Sequence, residues 1–428
     1  MGALWEDEMS RRTVLRLGAS AAALLAVPWP LGRRAEAAGS PHFLVTFFAD
    51  GGWDPTQTLD AHDPLDASDG IDVDVPGQPP SRIATVGGLT YVSNPVTRPM
   101  VDTFFTTWAG RTAIVNGINT RSTSHDQSTQ LVLTGYLDPT RADFAVMAAH
   151  HNGADLPLPH LLLSGPSFGG PFSGLSGRVG GQLGAALAYN RIPGHTNPDD
   201  RQLGVSALGE AYIQQALARE GTGVAPGAVT GKLDAFREAN RRGEQLARAA
   251  SSLPRDVGDG GELATSLANA FRAGMTSSVT VDTTGGFDTH SDNTQQNDRW
   301  TNLFSFLHDF LTGLAAQPGV ASPTLLDETT VVYCSDFGRT PQLNGDNGKD
   351  HHPWTSMLLV GKRVRGGTVL GRTDRDQEGV KVNFTTGQPD DTGQVLDVQN
   401  MVAGVLTLMG ANASEYLPTV RPFTGMIA

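Results

Sequence analysis

The sequence predicts an α/β protein: a doubly wound, mostly parallel sheet with helices on both faces. Three observations predict it. Short runs of aliphatic and β-branched residues recur along the chain, segments of helical periodicity lie between them, and each apolar run stops at a polar turn of Gly, Asp, Ser or His. Such alternation requires crossover connections and a sheet buried on both sides.

The first run, His42 to Ala49 (HFLVTFFA), is almost continuously apolar and ends at Asp50-Gly51-Gly52, as a buried parallel strand would. Further strands are expected at Thr112 to Ile118, Leu161 to Ser164, Ser278 to Asp282, Thr329 to Ser335 and Ser356 to Gly361. Helices are expected at Met100 to Trp108, Gln127 to Leu133, Phe144 to His150, Leu263 to Met275, Trp300 to Leu314 and Val395 to Leu408. The stretch from about 174 to 261 breaks the alternation. It is polar and helix-prone over 207–220 and 232–250, and it reads as a helical insertion in a single α/β domain spanning 38–428. With 51 Gly and 26 Pro among 428 residues the chain turns often, so chemistry is to be sought in the turns.

The amino terminus has a different grammar. Ser10-Arg11-Arg12-Thr13-Val14-Leu15-Arg16 precedes a weakly apolar, Ala- and Gly-rich run from Leu17 to Val27, the pattern of a twin-arginine signal peptide over residues 1–37. Ala35-Glu36-Ala37 supplies a small-x-small cleavage signal, and the apolar run is too short for a permanent anchor. The expectation is a periplasmic or secreted protein that meets the twin-arginine translocase during export and keeps no stable membrane anchor. The single cysteine, Cys334, excludes an intrachain disulfide and lies in an apolar strand, where it reads as core. Acidic residues outnumber basic ones, 44 to 31, and the excess is spread along the chain, which argues against nucleic acid as a partner. A small anionic substrate would need a local positive centre, and a bound metal ion is the simplest source of one.

In open parallel sheets, ligands bind beyond the carboxyl ends of the strands. The turns there read, in order, Asp50; Thr123, Ser124 and His125; Asp288 and His290; Asp336; and Asp350, His351 and His352, which takes in four of the chain's 11 histidines. Asp and His together suit zinc, manganese or iron, whereas carboxylates alone suit calcium or magnesium. The set predicts a centre for divalent metal ions, two in number, with zinc or manganese favoured. Each residue also has a plainer role. Asp50 can start a turn, Asp288 can cap the helix near Trp300, and Asp336 can bond the amides of its own turn. His351 and His352 can be a surface pair and His125 a packing residue. Their coincidence at one edge of a sheet favours a single site.

Phe48-Ala49-Asp50-Gly51-Gly52, Gly285-Gly286-Phe287-Asp288-Thr289-His290, Ser335-Asp336-Phe337-Gly338-Arg339-Thr340 and Asp350-His351 follow one another in that order, before an apolar strand and Gly366-Gly367. This series resembles the domain-of-unknown-function 1501 proteins, a family similar in turn to the alkaline phosphatase and sulfatase superfamily. The resemblance runs from about His42 to Gly410. It implies an alkaline phosphatase-like sheet with two metal positions and a Ser, Thr or Cys nucleophile at a helix amino terminus. By position, Asp50 and Asp336 match the carboxylates of one metal; Asp288, His290 and His351 match the ligands of the other, with His352 able to substitute for His351.

Three departures stand against that pattern. Phe337 occupies the place of a histidine after Asp336, and Asp288 and His290 are separated by one residue where three intervene in the superfamily. The stretch that ends in Leu133-Thr134-Gly135 begins with His125 where the nucleophile belongs. One hypothesis joins two of these: His125 supplies to the Asp50 and Asp336 metal the imidazole that Phe337 no longer gives, and water replaces the protein nucleophile. Two other readings stay open, in which His125 itself carries a phosphoryl group or Ser124 or Thr123 takes the nucleophile's place. The expected function is an exported metal-dependent hydrolase of small phosphate or sulfate esters, with the Arg339 guanidinium gripping the anion in a fork. The alternatives are a non-catalytic metal-binding protein with a ligand or cell-envelope partner, and a metal-dependent transferase on envelope substrates.

Overall fold

The computed structural model describes residues 41–64, 70–178, 257–283 and 285–428, with a few positions between 241 and 254. The expected signal peptide lies outside the described residues, as do the helices expected over 207–220 and most of 232–250. Among the described residues no helix is long and apolar enough to cross a membrane.

The chain enters the fold on β1 (Phe43–Ala49), every residue of which is buried. A two-stranded hairpin, β2 (Arg82–Val86) with β3 (Leu89–Ser93), stands apart from the main sheet. There follow α1 (Pro99–Trp108), β4 (Thr112–Asn119), α2 (His125–Thr134), α3 (Phe144–Gly153), β5 (His160–Leu162) and β6 (Ser176–Arg178). Beyond the region expected to be an insertion come α4 (Gly260–Arg272), β7 (Ser278–Asp282), α5 (Gln295–Ala316) and β8 (Thr329–Ser335). The carboxyl-terminal part adds β9 (Gly338–Arg339), β10 (His351–His352), β11 (Trp354–Gly361), β12 (Thr368–Leu370), β13 (Leu396–Asp397) and α6 (Val398–Leu408).

The nine-stranded sheet runs β12-β4-β11-β8-β1-β7-β5-β6, with β13 also beside β4. All neighbours are parallel except β11, which is antiparallel to both β4 and β8. The expected doubly wound, mostly parallel α/β fold is therefore present, with one reversed strand in its interior. The reversal follows from the connection. Between β8 and β11 there is no crossover helix, only the short antiparallel pair β9–β10, so the chain doubles back instead of returning in the same sense. Ser176–Arg178, at the start of the region expected to be an insertion, pairs with β5 as the edge strand.

Alternation along β1 shows how both faces are buried. Leu44 and Phe48 pack in one core with Leu131, Ala145, Met401 and Val405 from α2, α3 and α6. Phe43 and Phe47 point the other way, where Phe43 stacks on Phe271 of α4 at 4.1 Å and Phe47 meets Phe310 of α5 edge-on at 5.1 Å. Cys334 lies buried in the first of these cores, as expected, and burial pushes its thiol well up.

His42 introduces β1 and is itself buried, with Nε2 bonded to Thr330 Oγ1 at 2.8 Å. Burial first, and the charge of Arg363 second, lower its imidazole from 6.5 to about 3. The folded protein therefore holds it neutral, and its contribution to stability is complete above pH 6.5 and is lost as pH falls toward 3. Between pH 7 and pH 5 this single group should withdraw about 2 kcal/mol. Urea unfolding of His42→Gln at the two pH values should show a correspondingly smaller loss than the parent chain; an equal loss would count against the assignment.

Candidate metal centre

The site forms where β1, β4, β7 and β8 reach their carboxyl ends. Asp50 follows β1, His125 opens α2 after β4, Asp288 and His290 lie in the loop after β7, and Asp336 follows β8. His351, in β10, precedes β11, yet it arrives at the same edge because β11 runs backwards. Two groups of side chains each bring their donor atoms within 4.8 Å of one another: His125, Asp288 and His351, and Asp50, His125 and Asp336. His125 belongs to both.

Local sequence explains the close approach. Gly51 and Gly52 take φ of +107° and +75°, and a Cβ on Gly51 would stand 2.7 Å from the Asp288 nitrogen. A Cβ on Gly52 would stand 2.3 Å from the Phe337 ring. The Asp-Gly-Gly turn is thus what lets the Asp288 loop and Phe337 close over the end of β1. Phe337 is fully buried, 4.7 Å from the His125 ring and 4.3 Å from the His351 ring. It forms a hydrophobic floor beneath these two histidine rings.

The hydrogen bonds fix which histidine nitrogens face inward. His351 Nδ1 lies 2.7 Å from the Thr123 carbonyl, which only accepts, so this nitrogen carries the proton. His290 Nδ1 lies 2.9 Å from Asp350 Oδ1, and that hydrogen bond holds the Asp350 carboxyl below its usual range, ionised and accepting. Both Nε2 atoms are left with lone pairs, 2.9 Å from each other and each 3.1 Å from Asp288 Oδ1. Two lone pairs and a carboxylate facing one another at this distance repel unless a cation sits among them. Two nitrogens sharing one tetrahedral zinc would lie roughly 3.3 Å apart, so the residues present fit a metal ion.

The electrostatics agree. At Asp288 burial would raise the carboxyl, but the hydrogen bond and the charge of Arg339 pull the other way, and the group is held below the usual carboxylate range. Asp50 goes the other way: burial first, then the charges of Asp336 and Asp288, raise it despite His125. His125 is raised chiefly by its hydrogen bond to Asp336, with Nδ1 to Oδ2 at 2.5 Å. Three carboxylates crowd one edge, and a divalent cation relieves that repulsion.

Beneath the site lies a buried polar scaffold. Lys349 and Asp54 form an ion pair at 2.9 Å with both side chains fully buried, and Thr56 and Asn293 also bond Asp54. Gln296 donates to Phe287 O and Thr289 Oγ1, which ties α5 to the Asp288 loop. The sequence signal was weak: Asp54 and Lys349 are charges placed within four residues of Asp50 and Asp350, in turns otherwise read for their ligands. Asn344 holds the His290 carbonyl at 2.8 Å.

Two expectations need correction. Arg339 does not grip a substrate anion. It is fully buried, and its donors go to the carbonyls of Gly52 (2.7 Å), Lys349 (3.0 Å) and Gly51 and to Asp288 Oδ1 (2.8 Å), so it braces the Asp-Gly-Gly turn and aims Asp288. His352 does not substitute for His351. Adjacent strand residues face opposite ways, and its Nε2 donates to the Gln377 carbonyl at 3.3 Å. Ser124 is the exposed N-cap of α2, and its side chain makes no capping bond. The short Asp288 to His290 spacing does not separate the two, whose side chains meet at 3.1 Å.

A cleft of about 470 Å³ opens beside Asp50, lined among the described residues also by Asp126, Thr129, Gln130, Phe168 and Asp282.

A mostly parallel sheet covered on both faces, with an Asp and His cluster at its carboxyl edge, defines a doubly wound α/β protein with a candidate metal centre. The family model described as Protein of unknown function (DUF1501) matches residues 267–421, the segment that holds Asp288, His290, Asp336 and His351, and it bears out the resemblance read from the motifs. No curated protein matches the sequence. Among solved structures, a Vibrio parahaemolyticus protein in the alkaline phosphatase superfamily overlaps 96% of this chain and 79% of its own at 8% identity and a TM-score of 0.37. The integral membrane lipooligosaccharide phosphoethanolamine transferase A of Neisseria meningitidis overlaps 96% and 66% at 11% identity and 0.33. A Bacteroides thetaiotaomicron protein from a locus for metabolism of multiple glycosaminoglycans overlaps 90% and 76% at 11% identity and 0.33.

Proposed function

We propose that the protein is an exported, metal-dependent hydrolase of small phosphate or sulfate esters. The observation that carries the reading is the convergence of the His290 and His351 Nε2 atoms on Asp288, beside a second set of ligands in Asp50 and Asp336. Divalent ions held there, zinc or manganese by the donor chemistry, would neutralise the ester oxygens and act as Lewis acids.

The chain's own residues do the rest. Asp350 and the Thr123 carbonyl orient the two imidazoles, Arg339 orients Asp288, and Phe337 keeps water from beneath the rings. The amino end of α2, where His125 is the first residue, presents unpaired backbone amides toward the same edge, a favourable setting for an anion. His125 is engaged through Nδ1 with Asp336 and turns Nε2 toward Asp288, where an ion held by Asp288 would take up its lone pair. With water as the attacking group, Ser124→Ala should leave turnover within about twofold, whereas a Ser124 nucleophile would make the same change abolish it.

The test uses mature protein from about Ala38. Metal per chain is measured by elemental analysis, and aryl phosphate, phosphodiester and aryl sulfate substrates are assayed with zinc, manganese and calcium. Hydrolysis that is lost on chelation and restored by one of these ions supports the reading. Bound metal with no turnover would make the chain a metal-holding binding protein, and transfer to an added alcohol without hydrolysis would make it a transferase. Recovery of the mature form outside the cytoplasm, dependent on Arg11 and Arg12, tests the export.

A further inference from the structure

His125 is the residue that the two candidate ligand groups share, and its surroundings decide between them. All three histidines at this edge follow one pattern. Each has an oxygen acceptor at Nδ1: Asp336 Oδ2 at 2.5 Å for His125, Asp350 Oδ1 at 2.9 Å for His290, and Thr123 O at 2.7 Å for His351. Each turns Nε2 toward Asp288, at 3.6 Å for His125 and 3.1 Å for the other two. An acceptor at one nitrogen fixes the tautomer and frees the other as a ligand, the arrangement by which proteins orient imidazoles on metals.

We propose that His125 binds through Nε2 to the ion at Asp288 and completes a centre of three imidazoles and one carboxylate. Asp336 is then a positioning residue for the His125 ring, fully buried behind it. This rests on the reading that an ion occupies the site, and it does not depend on which reaction follows. The assignment also ranks the ions. Three nitrogens and one oxygen select a borderline-soft ion such as zinc or cobalt, whereas Asp50 and Asp336, with His125 committed elsewhere, offer oxygen alone and suit a harder, more weakly held ion such as magnesium or calcium. One zinc per chain should bind tightly and resist exchange by magnesium.

Wild-type protein provides the deciding measurement, so no variant need fold for it. The chain, labelled with nitrogen-15 at histidine, is loaded with one equivalent of cadmium-113, and cadmium–nitrogen couplings are recorded. The expected result is one cadmium signal coupled to Nε2 of His125, His290 and His351. Coupling of His125 through Nδ1, or to a different cadmium from the other two, would overturn the assignment while leaving the hydrolase reading intact. Absence of bound cadmium would overturn both, and absence of ester turnover in a chain with the expected couplings would overturn the hydrolase reading alone.

Titration with zinc adds a second arm. Asp336→Asn should weaken the first ion by about 10- to 100-fold, with His290 and His351 still coupled to cadmium, and Asp50→Asn, which removes a neighbouring charge but no ligand of that ion, should weaken it by less. Loss of the first ion in Asp50→Asn would contradict the proposal.

Discussion

Asp288→Asn is expected to cost the protein both its first metal ion and at least about a thousandfold in ester turnover. The amide keeps the size of the side chain but removes the charge that three imidazoles, Arg339 and the ion share. Metal-ion stabilisation of a reacting oxyanion is worth several kcal/mol, and each 1.4 kcal/mol is a factor of ten in rate. Elemental analysis of the dialysed variant and kcat/KM on the best substrate of the parent chain check the two losses separately. Thermal unfolding of the metal-free proteins should also show a loss, because the fully buried Arg339 keeps its carbonyl partners but loses its carboxylate. A variant that kept its ion and its rate would remove Asp288 from the centre.

Lys349→Met should instead act on the fold. Lys349 and Asp54 are both without solvent exposure, so removal of the ammonium leaves a buried carboxylate facing only Thr56 and Asn293. Breaking such a pair from one side costs about 3–5 kcal/mol, most of it the penalty of the charge left behind. Denaturant unfolding should show that loss. The double variant Lys349→Met with Asp54→Leu, which removes both charges, should recover a large share of it. A single variant as stable as the parent would mean that Asp54 finds another partner or takes up a proton at little cost.

Much of this was legible in the sequence for identifiable reasons. HFLVTFFA announces a strand buried on both faces because its apolar residues fall on both sides of the alternation, and β1 is indeed buried throughout. The clustering of Asp50, His125, Asp288, Asp336 and His351 was legible because each follows or precedes a strand at the same edge of a mostly parallel sheet. The reversal of β11 was not. Ser356 to Gly361 looks alike in either direction, and the sense of a strand is set by the length and path of its connection, not by its own composition. Arg339 was misread for a similar reason: a guanidinium in a motif-rich turn binds carbonyls as readily as oxyanions, and only the path of Gly51 and Gly52 shows which it meets. Lys349 and Asp54 escaped notice because a buried ion pair between residues nearly 300 positions apart leaves no local periodicity.

The reversed strand also divides the site by the length of chain that must be closed to build it. Asp336, Arg339, Lys349, Asp350 and His351 ride on one stretch in which β8 meets β11 and β9 meets β10 across short separations, at small entropic expense. Asp50 joins them only when Phe43 aligns with Thr329, at the far end of the polypeptide. Half of the cluster is thus a local hairpin-like unit, while the whole of it exists only after the most distant segments have met, so that the complete cluster is a late product of tertiary assembly.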